Sequence, residues 1–308
     1  MANRRRGEPV DGWLVLDKPV GMSSSAAVVA VRRLLNAAKA GHAGTLDPLA
    51  SGVLPIALGE ATKTVACAMS GWKIYRFLIA WGEARDTDDR EGEVIGRSAV
   101  RPDRAAIEAM LPGFAGTLLQ RPPVFSALKV AGTRAYERAR QGDPAELAPR
   151  PVEIRDLRLL AQPDPDHAEF EAVVGKGTYI RALARDLGEA LGTVAHIAAL
   201  RRHSVGRFGL ELAISLDKLA ALGHSAAAFG HLLPIETALD DIPALALTEA
   251  EAHRLRCGQA VTPLRPSDRA RIDQLGDGAT LCATIGGKLV ALVEVAAGGL
   301  RPVRVLNI

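Results

Sequence analysis

The chain has 308 residues, 48% of them hydrophobic and 24% charged, and a formal net charge of +3. That balance is ordinary for a soluble globular protein with one large and one small domain, and its slight basic excess permits a polyanionic partner without demanding one. Cys67, Cys257 and Cys282 are widely separated with no C-x-x-C, the histidines show no metal-ligand spacing, and no apolar run reaches membrane-spanning length. No disulfide framework, thiolate metal site or membrane span is therefore expected, and a reduced, cytoplasmic setting is the default.

Taken in order, residues 1–10 read as a short disordered basic arm carrying Arg4, Arg5 and Arg6, without the apolar segment of a signal peptide. A strand is expected over 13–16, ending in the turn Lys18-Pro19-Val20-Gly21, and Ser23 or Ser24 caps a helix over 26–35. The stretch 41–54, G-H-A-G-T-L-D-P-L-A-S-G-V-L, is punctuated by Gly41, Gly44 and Gly52 and by Pro48, so it reads as a shaped loop presenting Asp47 ahead of a buried strand over 53–58. A lone Asp-Pro is most simply a turn whose carboxylate bonds nearby backbone N–H groups. A short helix over 62–69 and a strand over 74–82 follow, with Tyr75 near the start of the strand.

The acidic stretch 85–94 (R-D-T-D-D-R-E-G-E-V) is not an EF-hand, because Arg90, Glu91 and Arg97 fall where an oxygen ligand, a glycine and the bidentate glutamate are required. A carboxylate of this loop could orient an arginine; no chemistry is assigned to it. Pro102 introduces a helix over 103–111. Between 122 and 142 the sequence predicts an extended segment, a turn at Ala131-Gly132 and a helix through 136–140. Two β-segments, 152–160 and 167–174, precede a helix over 179–191 with Arg181 and Arg185 at i, i+4. Residues 220–230 are alanine-rich and expected to be loosely packed. From residue 240 a helix over 247–255, capped by Thr248, is followed by β-runs at 279–285, 289–295 and 303–306 with glycine turns between them, the pattern of a small barrel. Helices and strands are mixed without a βαβ period, so the class is α+β.

Lys176, Arg181, Arg185, Arg201, Arg202 and Arg207 outnumber the acids of their segment, and Tyr75, Tyr136 and Tyr179 each stand within two residues of a lysine or arginine. Cations beside aromatic rings suit flipped or single-stranded nucleotides, although a solvated helix face explains the charge and a core position explains a tyrosine.

The wording of 41–54 resembles the catalytic motif of the bacterial TruB family, the tRNA pseudouridine-55 synthases. The likeness continues through D-K-P-V-G-M-S-S from Asp17, K-I-Y-R from Lys73, P-P-V-F-S-A-L-K from Pro122, G-T-Y-I-R from Gly177 and L-R-R from Leu200, in the family's order. It implies a pseudouridine-synthase fold, a mixed and largely antiparallel sheet with flanking helices over 11–239, plus a PUA-like RNA-binding module over 240–308. It implies Asp47 as the catalytic aspartate, Arg181 as its partner, and Tyr75 against the target base as platform or general base. His42 would stand near the displaced nucleotide, with Lys18, Lys129, Tyr179 and Leu200 around the pocket and Arg201 and Arg202 toward the RNA. The implied partner is the T arm of tRNA, the implied state a monomer, and the reaction, an isomerisation without redox change, needs neither cofactor nor metal. An RNA-folding factor and a glycosidase using Asp88 or Asp89 as second carboxylate are the competing classes.

Overall fold

The computed structural model describes residues 7–263 and 265–307. Of the disordered arm expected over 1–10, residues 1–6 lie outside the described residues, and 7–10 depart from the expectation. From residue 7 onward the chain is held: Glu8 N donates to Asn36 O and Ala38 N to Glu8 O, and Val10 is buried.

A ten-stranded sheet organises the body. Across it the strands run Ile214–Ser215, Gly12–Lys18, Ala50–Leu58, Ala195–Val205, Lys73–Trp81, His167–Val174, Arg150–Asp164 and Gly116–Gln120, with Ala40–His42 and Phe208–Gly209 as side branches. All pairings are antiparallel except Gly12–Lys18 with Ile214–Ser215 and Ala50–Leu58 with Ala195–Val205.

Alternation along the strands explains the layers. Tyr75, Phe77, Ile79 and Trp81 point into the main core with Leu14, Leu16, Leu54 and Ile56, against Val31 of the helix Ser24–Leu34 and Leu183 and Leu187 of the helix Ile180–Ala190. The intervening Trp13, Val15, Val53 and Ala57 face the other way and pack on a second cluster. That is why Ala50–Leu58 is apolar throughout, for it is covered on both faces. Ser23 caps the first helix by accepting from Ala26 N, and Asp103, just after Pro102, caps Arg104–Met110 by accepting from Ala106 N. In the alanine-rich segment 220–230, Ala228 is buried in the main core with Leu222 and Phe229 packed against it, while Ala220, Ala221, Ala226 and Ala227 are exposed.

The C-terminal region forms a four-stranded sheet in the order Ala244–Ala246, Thr280–Ile285, Lys288–Ala296, Gly299–Val305, extended by a bridge between Val261 and Leu300 and flanked by Glu249–Arg256 and Pro266–Leu275. It is an open sheet in place of the closed barrel that the glycine-spaced β-runs predict. It has its own core around Leu247, Leu255, Leu281 and Val293. Cys282, Leu289, Leu292 and Leu306 instead join the second cluster beneath Trp13 and Phe208, so the two regions share apolar contact.

Candidate active site

Asp47 sits on the connection between Ala40–His42 and Ala50–Leu58, a hairpin whose strands pair from Ala40 with Leu58 to His42 with Ile56. Its backbone is gripped from two sides. Ser24 Oγ is within 2.8 Å of both Leu46 N and Leu46 O. Arg202, 1% exposed, donates from Nε to Val53 O at 2.8 Å and from Nη2 to Gly44 O at 2.9 Å, with Nη1 3.3 Å from Thr45 O. The clamp needs the strand of Arg202 hard against the strand after the loop, and Gly52 permits it. A Cβ there would lie 2.1 Å from Arg202 O, and Gly52 has φ +101°.

With the loop held, the Asp47 carboxylate stands at the junction of two clefts and 37% of the side chain remains exposed. Arg181, only 5% exposed, places Nε 2.9 Å from Asp47 Oδ2. The contact is an ion pair whose N–H is not directed at the oxygen. Two backbone bonds aim the guanidinium, Nη1 to Thr87 O at 2.7 Å and Nη2 to Phe125 O at 2.9 Å. Behind it Asp89 Oδ2 lies 3.5 Å from Nη1 while Asp89 Oδ1 accepts from Thr87 Oγ1 and Glu91 N. One helical turn on, Arg185 pairs with Asp88 at 2.9 Å. Burial lifts the Asp88 carboxyl to about 6 against the pull of Arg185 and Arg181.

The smaller cleft, about 240 Å³, is lined by Asp47, Tyr75, Tyr179, Arg181, Leu200 and Arg202 together with Lys73 and Lys176. Tyr75 is 9% exposed, with its hydroxyl 3.5 Å from Arg202 Nη1. Burial raises the Tyr179 phenol, and the Asp47 charge adds to the rise. Lys73 Nζ donates to Met69 O and Gly71 O, and burial, then the charges of Arg202 and Lys176, pull it down to about 8. The adjoining cleft, about 560 Å³, shares Asp47 and Arg181 and adds His42, Phe125, Arg134, Tyr136 and Arg140. The Arg140 guanidinium lies 5.5 Å from the centre of the Tyr136 ring. Burial, then Arg202, lowers the His42 imidazole, which leaves it neutral at physiological pH with Nδ1 unpaired.

Three of the expected site residues lie elsewhere. Lys18 is fully buried: its Nζ donates to Pro19 O and Met22 O, and burial lowers it to about 8 although Asp47 and Glu91 pull the other way. Lys129 is exposed on the short hairpin Lys129–Val130 with Thr133–Arg134, outside both clefts. Arg201 points to the opposite face of the sheet from Arg202, where it pairs with Asp17 at 2.8 Å. Arg202 itself is a clamp on the Asp47 loop, with no guanidinium nitrogen turned to solvent for RNA. Sequence reasoning gave Ser24, Lys73 and Thr87 no part in the site, and Asp89 only that of a glycosidase's second carboxylate; the acidic run 85–94 was the one available signal, and it pointed to an oriented arginine without saying which. Among the described residues no group of His, Cys, Asp and Glu is arranged to hold a metal ion.

Residues 32–180 match the family model described as TruB family pseudouridylate synthase, N-terminal domain, and residues 181–240 match that of the tRNA pseudouridylate synthase B C-terminal domain. A protein of Rhodospirillum rubrum named tRNA pseudouridine synthase B is 55% identical over the whole of both chains. The chain belongs to the TruB family. A relative of the same name from Bradyrhizobium diazoefficiens is 56% identical, over 99% of this chain and 88% of its own. Among solved structures, the archaeal box H/ACA sRNP Nop10-Cbf5 complex contains a chain with a TM-score of 0.72 and 24% identity, covering 99% of this chain and 92% of that one, a likeness of fold. A chain of a Cbf5-Nop10-Gar1 complex matches with a TM-score of 0.69 and 27% identity over 96% and 84%. As a member of this family the protein is a pseudouridine synthase, an isomerase, with the pseudouridine-synthase fold and a separate small C-terminal sheet region. No helix among the described residues is long and apolar enough to cross a membrane.

Proposed function

We propose that this enzyme isomerises the uridine at position 55 in the T arm of tRNA to pseudouridine, with Asp47 as its catalytic carboxylate. The observation that carries the reading is the ion pair of a partly exposed Asp47 with a buried Arg181 at the junction of two clefts, one of them walled by Tyr75. The name of the full-length relatives supplies the substrate class.

Pseudouridine formation breaks the C1′–N1 bond of uridine, turns the base and joins C1′ to C5; C5 gives up its proton and N1 takes one up, so the atomic composition is unchanged. A fixed anion suits this chemistry, as a nucleophile or as a stabiliser of positive charge at the sugar. Arg181 orients that anion, and its own direction is set by carbonyls at Thr87 and Phe125 and by the carboxylate of Asp89. Tyr75 offers the flipped base a ring to stack on and a phenol for proton transfer. A flipped nucleotide leaves a gap in its loop, which costs a few kcal/mol. A neutral His42 at the wall of the adjoining cleft is suited to fill it, and Arg134, Tyr136 and Arg140 line the same cleft for the displaced strand. Residues 11–239 form the catalytic domain on this reading, and 240–308 a PUA-like RNA-binding module, in a cytoplasmic monomer that also assists tRNA folding.

Tritium release from unmodified tRNA carrying C5-labelled uridine tests the reaction, and mass spectrometry separates it from hydrolysis because isomerisation leaves the RNA mass unchanged. Asp47→Asn keeps the side-chain size and removes the charge, and it is expected to abolish release while RNA binding is retained. Turnover near the unsubstituted rate removes Asp47 from the mechanism.

A further inference from the structure

Gln120 is the last residue of the edge strand Gly116–Gln120 and is 4% exposed. Both ends of its side-chain amide are used on the backbone of one residue far away in sequence. Tyr179 N donates to Gln120 Oε1 at 2.8 Å, and Gln120 Nε2 donates to Tyr179 O at 3.1 Å. The orientation of the amide is unambiguous, since Tyr179 N–H can only donate and so faces the oxygen.

The position of that residue matters. Tyr179 is the extended residue, with φ −102° and ψ 114°, immediately before the helix Ile180–Ala190. Such a residue is usually Ser, Thr, Asp or Asn, whose side chain caps the helix. Here the tyrosine makes no cap bond and the preceding Thr178 Oγ1 is buried without a partner. Gln120 takes the N–H of the N-cap residue, the bond that a glutamate or glutamine at the third helical position makes in a capping box, and does so from another strand. The next residue repeats the grip, for Arg185 Nη2 donates to Arg121 O at 2.7 Å. Two groups of the smaller cleft hang from this junction: the Tyr179 ring, and Arg181 two residues on.

We propose that Gln120 is a positioning residue for the isomerisation, fixing the backbone of Tyr179 on both sides of its Cα and through it the direction of Arg181 toward Asp47. This rests on the reading of Asp47 and Arg181 given above. Gln120 touches no reacting atom; it sets where the helix begins, and a shift of the guanidinium by about 1 Å is enough to cost about 10²-fold in rate.

The test uses the full chain and unmodified tRNA in single turnover. Gln120→Met keeps the length and can neither donate nor accept as the amide does. It is expected to lower the single-turnover rate about 10–100-fold with tRNA affinity within about threefold. A rate within about twofold of the unsubstituted protein, or an affinity loss with the rate preserved, overturns the proposal. Should the methionine variant not fold, Gln120→Glu decides. When protonated, the glutamate carries an acceptor and an O–H donor like the amide; when ionised, it turns an acceptor toward Tyr179 O. Arg150 pairs opposite it, Arg121 adjoins it, and Arg185, Asp186 and Glu189 line the groove alongside. Held ionised at about pH 7.5 by those arginines, it sets acceptor against acceptor at Tyr179 O, so the single-turnover rate should fall at least about tenfold with tRNA affinity within about threefold, and a rate within about twofold of the unsubstituted protein overturns the proposal. Asp47→Asn in the same assay keeps the two readings apart: normal turnover there defeats the assignment of Asp47, whereas loss there with unaffected Gln120 variants defeats only the role of Gln120.

Discussion

Arg181→Lys probes the site most directly, because it preserves charge and removes shape. The guanidinium meets Asp47 through Nε, Thr87 O through Nη1 and Phe125 O through Nη2, so three partners in different directions are served by one rigid plane. A lysine has a single nitrogen. Turned toward Asp47 it abandons two carbonyls in a region where the side chain is 5% exposed; turned toward the carbonyls it abandons Asp47. A hydrogen bond from a charged donor is worth about 1.5–3 kcal/mol, so the stability loss should be at least that of one such bond. The chemical step should slow by about 10²-fold, which is the cost of displacing a catalytic carboxylate by about 1 Å and corresponds to about 2.7 kcal/mol of barrier. Single-turnover tritium release measures the step, equilibrium binding of tRNA measures affinity, and urea unfolding measures stability. Affinity should change by no more than about threefold. A normal chemical rate with an affinity defect would refute the argument and make Arg181 a phosphate contact.

Tyr75→Phe keeps the ring and loses the hydroxyl beside Arg202, so tRNA binding should hold while the single-turnover rate falls by about 10²–10⁴-fold; if only Tyr75→Leu is slow, the ring is a platform and nothing more. Gly52→Ala drives a methyl group into Arg202 O at a backbone angle that side chains rarely adopt, and urea unfolding should register a loss above about 3 kcal/mol; a loss under about 1 kcal/mol would mean that the two strands separate cheaply. Lys18 stays charged up to about 8 when folded but up to 10.5 when unfolded, so across that window the unfolded chain holds the extra proton and stability from this group rises with pH. Lys18→Met should remove that rise, and a stability difference between the two proteins that does not vary with pH between about 8 and 10 would contradict it.

The loop that presents Asp47 was legible because the information around it is local; a catalytic role for its carboxylate was implied only by the resemblance to the TruB family. Glycines and a proline shape the loop, and the apolar residues after it form a strand whose type can be read without knowing what lies on either side. The same holds for Lys73–Trp81, where alternation puts Tyr75 on the core face, and for Arg181 and Arg185, which share a helix face by spacing alone. The sequence by itself thus determined the loop, the strand after it and the helix that carries Arg181, whereas the pairing of Arg181 with Asp47 was implied by the resemblance alone. Ala195–Val205, central to the sheet, was not legible as a strand. Ala198 and His203 are extra residues opposite Lys73–Trp81, and two such bulges break the two-residue period by which a strand is recognised. They also govern which side chains turn inward, so no count from the sequence could say that Arg202 clamps the loop while its neighbour Arg201 faces Asp17. Lys18, Asp89 and Gln120 belong to the same class. Each is defined by a partner on another strand or loop, and burial and direction, the quantities that separate a ligand-facing cation from a buried staple, exist only once those segments have packed together.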